Sequence, residues 1–397
     1  MRVPATAERS RHTAPAPDSA PQPAVPIHQA PGRPSVVIQT SFLGDVILTT
    51  GLLASLAERG PVDVVTTPAG APLLAHDPSV REIFIYDKRG GARGISGLWH
   101  TAQLLKARFG LGTPPEDTAA RSPRTSGGNG APRAEPPAPI AYLAQGSVRS
   151  GMLALLAGFP ERVGFSTAAG RALYTRTVPY RADRHHAERL WRLGAASPDA
   201  EPPPGAIRPR LFPDASDVRA VDALLARAGY AGEPLVALAP GSAWGAKRWP
   251  GYPALASALA RGARIVVVGG AEDRGFAAEI GSAVRGPSGT VIDATGELTV
   301  LGTAELIRRC IAIVTNDSAP QHLASAMQTP TVTIFGPTVP EFGFGPLALR
   351  HATTGVSGLD CRPCDKHGPQ QCPLGHWRCM RDLPATQVED IVRTLAG

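Results

Sequence analysis

Aromatic and charged side chains are scarce in this chain: Phe, Trp and Tyr make up 5% of its 397 residues, and Asp, Glu, Lys and Arg 18%. Long apolar runs are missing as well. No stretch reaches the roughly 18 consecutive apolar residues that a membrane-crossing helix needs. Cysteines number five, and structural disulfides are disfavoured in the cytosol, where the chain is expected. Residues 1–34 hold eight prolines and almost no apolar side chains beyond Val3, Val25 and Ile27. They lack the apolar core, about 7–15 residues long, of a secretory signal. Such a segment buries too little surface to offset its ordering entropy, so we expect a disordered tail and a cytoplasmic protein.

What is present points to a globular chain. Hydrophobic residues reach 43%, with 43 Gly and 41 Pro, an ordinary core composition plus some low-complexity segments. The net charge of +7 favours contact with phosphates, nucleic acid or an anionic membrane without choosing among them. An Arg-rich composition alone also accounts for it.

Short β-branched runs alternate with helical stretches. Strands are expected at 35–40, 62–66, 82–86 and 140–144, with helices at 45–59, 97–109, 149–157 and 188–193. A second block has strands at 235–239, 264–268, 311–315 and 331–335 and a helical stretch at 322–327. Such alternation implies parallel α/β sheets. Residues 112–139 contain no Val, Ile, Leu, Met or aromatic residue and read as a disordered insertion. Pro-rich residues 198–213 read as a linker between domains 35–197 and 214–397. The chain has no repeat at fixed period. Two facing doubly wound domains would hold a ligand outside the carboxyl ends of their strands.

Three polar loops fall at those strand ends. Ser41-Phe42-Leu43-Gly44-Asp45 precedes a helix. Gly44 lets backbone approach a ligand, and the helix dipole keeps Asp45 ionised; an ordinary N-cap is the simpler reading. Pro240 to Pro250 (PGSAWGAKRWP) offers Ser242, Lys247 and Arg248 as a phosphate cradle, without the residue order of a P-loop. Thr315-Asn316-Asp317-Ser318-Ala319-Pro320-Gln321-His322 would aim the Ser318 and Ala319 amides at an anion, unless Asp317 caps the helix. Near the C-terminus, Cys361, Cys364, Cys372 and Cys379 are candidate ligands of a structural zinc, with His367 and His376 as substitutes; reduced thiols in a loop-rich segment are the alternative. Cys310 reads as core. His185-His186 read as a surface pair, an acceptor-binding role being the minority reading. No two aspartates stand two apart, so an Asp-x-Asp metal–nucleotide motif is absent.

Taken in order, QTSFLGDVILTTGLL (39–53), RSGMLALLAGFPERVGF (149–165), PGSAWGAKRWP (240–250), TNDSAPQHLASAMQTPTVTIFGPT (315–338) and the C-terminal CRPC…CPLGHWRCM resemble the glycosyltransferase family 9 lipopolysaccharide heptosyltransferases, most of all the heptosyltransferase II type. The resemblance implies a GT-B fold: two Rossmann-like domains around a cleft. It implies inverting transfer of a heptose from ADP-heptose to the lipopolysaccharide inner core, with no cofactor or catalytic metal. Asp45 would be the general base and Lys247 would neutralise the departing diphosphate. Gly44, Ser242, Asp317, Ser318, Ala319 and His322 would line the donor site, with Glu272 or Asp273 on the ribose. Gly51 stands where the family often has proline. The implied partners are the nucleotide sugar and a lipid-linked acceptor, with peripheral inner-membrane contact and no nucleic acid. Another sugar nucleotide, an epimerase of the same fold, and a basic binding module are the competing readings.

Overall fold

The computed structural model describes residues 32–91, 94–112, 137–197, 199–285 and 291–397. The expected tail, apart from residues 32–34, and most of the expected insertion lie outside them.

The first half runs β1 (Ser35–Gln39), α1 (Leu43–Ala57), β2 (Val62–Thr66), β3 (Glu82–Ile85), α2 (Gly94–Arg108), β4 (Ile140–Leu143), α3 (Val148–Leu156), β5 (Glu161–Phe165), β6 (Arg176–Val178) and α4 (His186–Leu193). The second runs α5 (Ala215–Arg227), β7 (Leu235–Ala239), α6 (Tyr252–Leu259), β8 (Arg264–Val267), α7 (Arg274–Ala283), β9 (Val291–Asp293), α8 (Val300–Arg308), β10 (Ala312–Asn316), α9 (Ala319–Met327), β11 (Thr331–Ile334), β12 (His351–Thr354), α10 (Arg378–Arg381) and α11 (Ala385–Ala396). Residues 199–213 carry neither strand nor helix.

Each half builds a six-stranded parallel sheet among the described residues. The orders are β3-β2-β1-β4-β5-β6 and β12-β11-β10-β7-β8-β9. Renumbered within its own half, the second sheet has the same 3-2-1-4-5-6 order as the first. That is the doubly wound order, and its switch points lie between β1 and β4 and between β7 and β10. The central strands β1, β2, β7 and β10 are buried along their whole length, which is why they read as mainly apolar runs rather than as alternating patterns.

One buried cluster crosses from half to half. It joins Leu48, Leu52 and Leu56 of α1 and Leu190 of α4 to Leu224 of α5, Leu306 of α8 and Leu323 of α9. Asp214 begins α5 with a reciprocal capping box to Asp217, which satisfies two otherwise unpaired amides. Residues 206–210 run along α1: Arg210 N–H donates to Thr50 Oγ1 at 2.9 Å, and a Cβ on Gly51 would lie 2.6 Å from the Ala206 carbonyl oxygen. Packing against that segment therefore requires glycine at position 51.

Candidate active site

Asp45 lies in the first turn of α1, where amides without intrahelical acceptors and the helix dipole favour a carboxylate. It does not cap the helix: Phe42 is the N-cap residue, and no side chain bonds the cap amides. The carboxylate is held from the side instead. Ser41 Oγ donates to its Oδ2 at 2.5 Å, and His186 Nε2 lies 3.5 Å from its Oδ1.

The surface-pair reading of His185 and His186 is overturned. His185 caps α4, accepting the Ala187 amide on Nδ1, and its Nε2 lies 2.9 Å from the Gly345 carbonyl of the other half. His186 packs against Phe344, ring centroids 4.8 Å apart. Burial holds His185 down to about 4 and His186 down to about 3, so both are neutral at physiological pH. The loop 343–345 covers the pair, a long-range contact that local pattern does not report.

Facing them, α9 brings His322 across the seam. It is buried, its Nδ1 has no partner among the described residues, and burial holds it down to about 4. Its ring occupies the space a side chain would take at position 44: a Cβ on Gly44 would lie 2.8 Å from His322 Cδ2. Gly44 thus admits an imidazole rather than opening the backbone to a ligand.

The two loops of the second half are pinned together. Asn316, at the end of β10, donates Nδ2 to the Pro240 carbonyl at 2.8 Å and accepts from Tyr252 OH at 3.2 Å. Lys247 Nζ donates to Asp317 Oδ2 at 2.6 Å and to its carbonyl at 3.1 Å. Thr338 Oγ1 and Gln321 Nε2 also donate to the Asp317 carboxylate, at 2.7 and 2.9 Å. Asp317 is therefore a hub and not the helix cap. Ser318 is the N-cap residue, and Pro320 sits in the first turn, so the amides opening α9 lack intrahelical acceptors. An ammonium has three N–H donors; two of those of Lys247 are engaged by Asp317. Ser242 Oγ accepts the Trp244 amide at 3.2 Å, and Arg248 donates to the Ser242 carbonyl at 2.8 Å.

Behind β8 the two neighbouring acids have different surroundings. Asp273 is buried and accepts the Gly270 amide at 3.1 Å; burial raises its pKa. Glu272 is exposed. Sequence reasoning missed a basic group on the first half. Lys88 Nζ donates to the Thr40 carbonyl at 2.6 Å, one residue from Ser41, and its pKa is lowered by burial and by Arg89 and Arg149 nearby.

The cysteine segment buttresses the Ser242 loop. His367 stacks on Trp244 with ring centroids 6.0 Å apart, and Gln370 bonds both Ala243 and Gly245. Cys361 Sγ lies 3.9 Å from His376 Nε2, Cys372 Sγ accepts the Trp377 amide, and Cys379 is buried in the core. As folded, no three of these sulfurs and imidazole nitrogens come within 4.8 Å of one another among the described residues, so the set is not closed around a metal. The group that does converge among the described residues, His76, Asp214 and Asp217, is the α5 capping box with His76 Nε2 3.5 Å from Asp214 Oδ2.

The fold matches that of the solved Escherichia coli ADP-heptose lps heptosyltransferase II, with a TM-score of 0.69 at 22% identity, covering 91% of this chain and 98% of that one. The lipopolysaccharide heptosyltransferase 2 of Salmonella typhimurium is 26% identical over 324 residues, 77% of this chain and 84% of its own length. The lipooligosaccharide heptosyltransferase 2 of Campylobacter jejuni is 29% identical over 170 residues, and the match spans about half of that relative, 52%. Residues 138–377 match glycosyltransferase family 9 (heptosyltransferase), a stretch that takes in the Ser242–Lys247 loop, the Asp317 hub and the cysteine segment as far as Cys372. The chain is a GT-B glycosyltransferase and belongs to family 9.

Proposed function

We propose that this enzyme transfers a heptose from ADP-heptose to the inner core of lipopolysaccharide, inverting the anomeric centre, with Asp45 as general base. The observation that carries this reading is the seam itself: His322 of the facing helix α9 packs against Gly44, next in sequence to Asp45 at the start of α1. This supports a base and a diphosphate cradle that act together. The names borne by the relatives support the donor and acceptor.

The acceptor hydroxyl gives its proton to Asp45 as its oxygen attacks the anomeric carbon, and the bond from that carbon to the diphosphate breaks in the same displacement. One in-line step inverts the centre. Charge developing on ADP meets the amides of Ser318 and Ala319 and the remaining Lys247 N–H. Gly44 and His322 shape the seam, Ser242 orders the cradle, and Glu272 binds the ribose. An ionised carboxylate is a weak base, so positioning and leaving-group stabilisation carry much of the rate. Lys88, Arg89 and Arg149 suit an anionic, lipid-linked acceptor presented at an anionic membrane surface. Among the described residues no helix is long and apolar enough to cross a membrane.

A structural zinc on Cys361, Cys364, Cys372 and Cys379, or with His376 among its ligands, is a separate proposal. It requires the loop to draw together, and metal analysis of purified protein tests it.

The functional test is ADP release from ADP-heptose by wild type and Asp45→Asn, with Kdo-containing lipid A core acceptors bearing no heptose or one. Acceptor-dependent release lost in the variant is the expected result. ADP release without acceptor would favour a hydrolase, conversion of the donor without acceptor an epimerase, and full turnover by a folded Asp45→Asn would remove the base assignment.

A further inference from the structure

Asp45 has a neighbour that the transfer scheme leaves without a task. His186 reaches its Oδ1 side at 3.5 Å while Ser41 holds Oδ2. The residue is held through both its backbone and its ring. Its own amide donates to the Gly343 carbonyl at 2.7 Å, and Phe344 packs against its ring. Three residues on, Arg189 ties α4 down with bonds to the carbonyls of Arg181, Ala182 and Phe342. Nδ1 is buried with no partner among the described residues. The tautomer that places N–H on Nε2 aims its donor at the carboxylate and leaves only a lone pair unpaired; the other would bury an N–H without an acceptor.

We propose that His186 is a positioning residue for the general base, its Nε2–H orienting Asp45 toward the acceptor hydroxyl. The inference rests on the reading of Asp45 as the base. The separation is longer than a formed hydrogen bond, and such contacts commonly close when substrate binds. The charged and titratable groups around the pair are His322 from α9, His185 ahead of α4, Arg189 within it, and Lys366 of the cysteine segment. Burial keeps His186 neutral at working pH, so it orients the carboxylate without competing for the proton.

Two variants test this in the full-length enzyme. His186→Met fills the volume without a donor, whereas His186→Gln restores an N–H near Nε2. The Met variant is expected to lose about tenfold or more in kcat, with the donor KM within about twofold. The Gln variant should recover kcat. Combined with Asp45→Asn, the Met substitution should cost nothing further. Equal losses in Met and Gln, or wild-type kcat in both, would overturn the proposal. Asp45→Asn separates the two ideas: wild-type turnover there ends the base reading itself, whereas an inactive Asp45→Asn beside unaffected His186 variants ends only this one.

Discussion

The imidazole of His322 lies where a side chain on Gly44 would have to go, 2.8 Å between its Cδ2 and the position of a Cβ. The two residues belong to different halves, and His322 is buried. Gly44→Ala gains helix propensity, worth about 1 kcal/mol, but overpacks the seam, which typically costs about 1–3 kcal/mol. We expect a lower Tm and at least tenfold slower ADP release. Adding His322→Ala should return part of the Tm without returning activity; a single variant as stable and active as wild type would show that the seam tolerates a methyl group.

The Lys247–Asp317 pair is nearly enclosed, with side chains 9% and 11% exposed. Removing one partner of such a pair leaves the other charge uncompensated, at about 3–5 kcal/mol. Asp317→Ala should therefore lower the urea midpoint strongly. Lys247→Ala should also lose about 10²–10³-fold in kcat, the scale of losing one donor to a developing oxyanion, with a smaller change in donor KM. Urea titration and steady-state kinetics on the same preparations check both.

Adjacent acids after β8 should respond oppositely. Asp273 binds the Gly270 amide and is buried, so Asp273→Ala should cost stability by about 1–3 kcal/mol. Glu272 is exposed; Glu272→Gln should leave Tm unchanged and raise the donor KM severalfold. Isothermal titration with ADP beside thermal melts distinguishes the two, and a donor-binding loss confined to Asp273 would exchange the roles.

Acid should destabilise the protein before its carboxylates titrate. His185, His186 and His322 are held down to about 4, 3 and 4, against about 6.5 in the unfolded chain. Below about pH 6.5 the unfolded state binds protons that the folded state refuses, so unfolding free energy falls with falling pH, by about 1.4 kcal/mol per pH unit for each histidine. This loss continues until the folded groups titrate near pH 3–4. His322→Gln should flatten the dependence by one proton between pH 6 and 4.5, measured by denaturant titration; an unchanged slope would mean that His322 is already charged in the fold.

The central strands were legible because burial on both faces leaves a simple signature. VDVVT at 62–66 and LVALA at 235–239 fall on β2 and β7 residue for residue. The edge strands β6, β9 and β12 escaped because they are three or four residues long and carry exposed or polar side chains such as Arg176, Asp293 and His351. The loops carrying Asp45, Lys247 and Asp317 were legible as polar turns at strand ends. Their partners were not. His186 looks like a surface residue in HHAERL until the loop 343–345 covers it, and Lys88 reaches Thr40 across 48 residues of sequence. Local pattern reports which residues are polar, whereas tertiary contacts decide what each of them faces.

The shared strand order of the two sheets implies a division of labour that neither sequence half announces. On the proposed reading one half supplies the proton acceptor and the other the anion cradle. The packing of α1 and α4 against α5, α8 and α9 sets the distance between them. Fidelity of the reaction is then a property of the joint and not of either part. A lesion that merely loosens the joint would leave both sheets folded and both ligands bound, yet silence the enzyme.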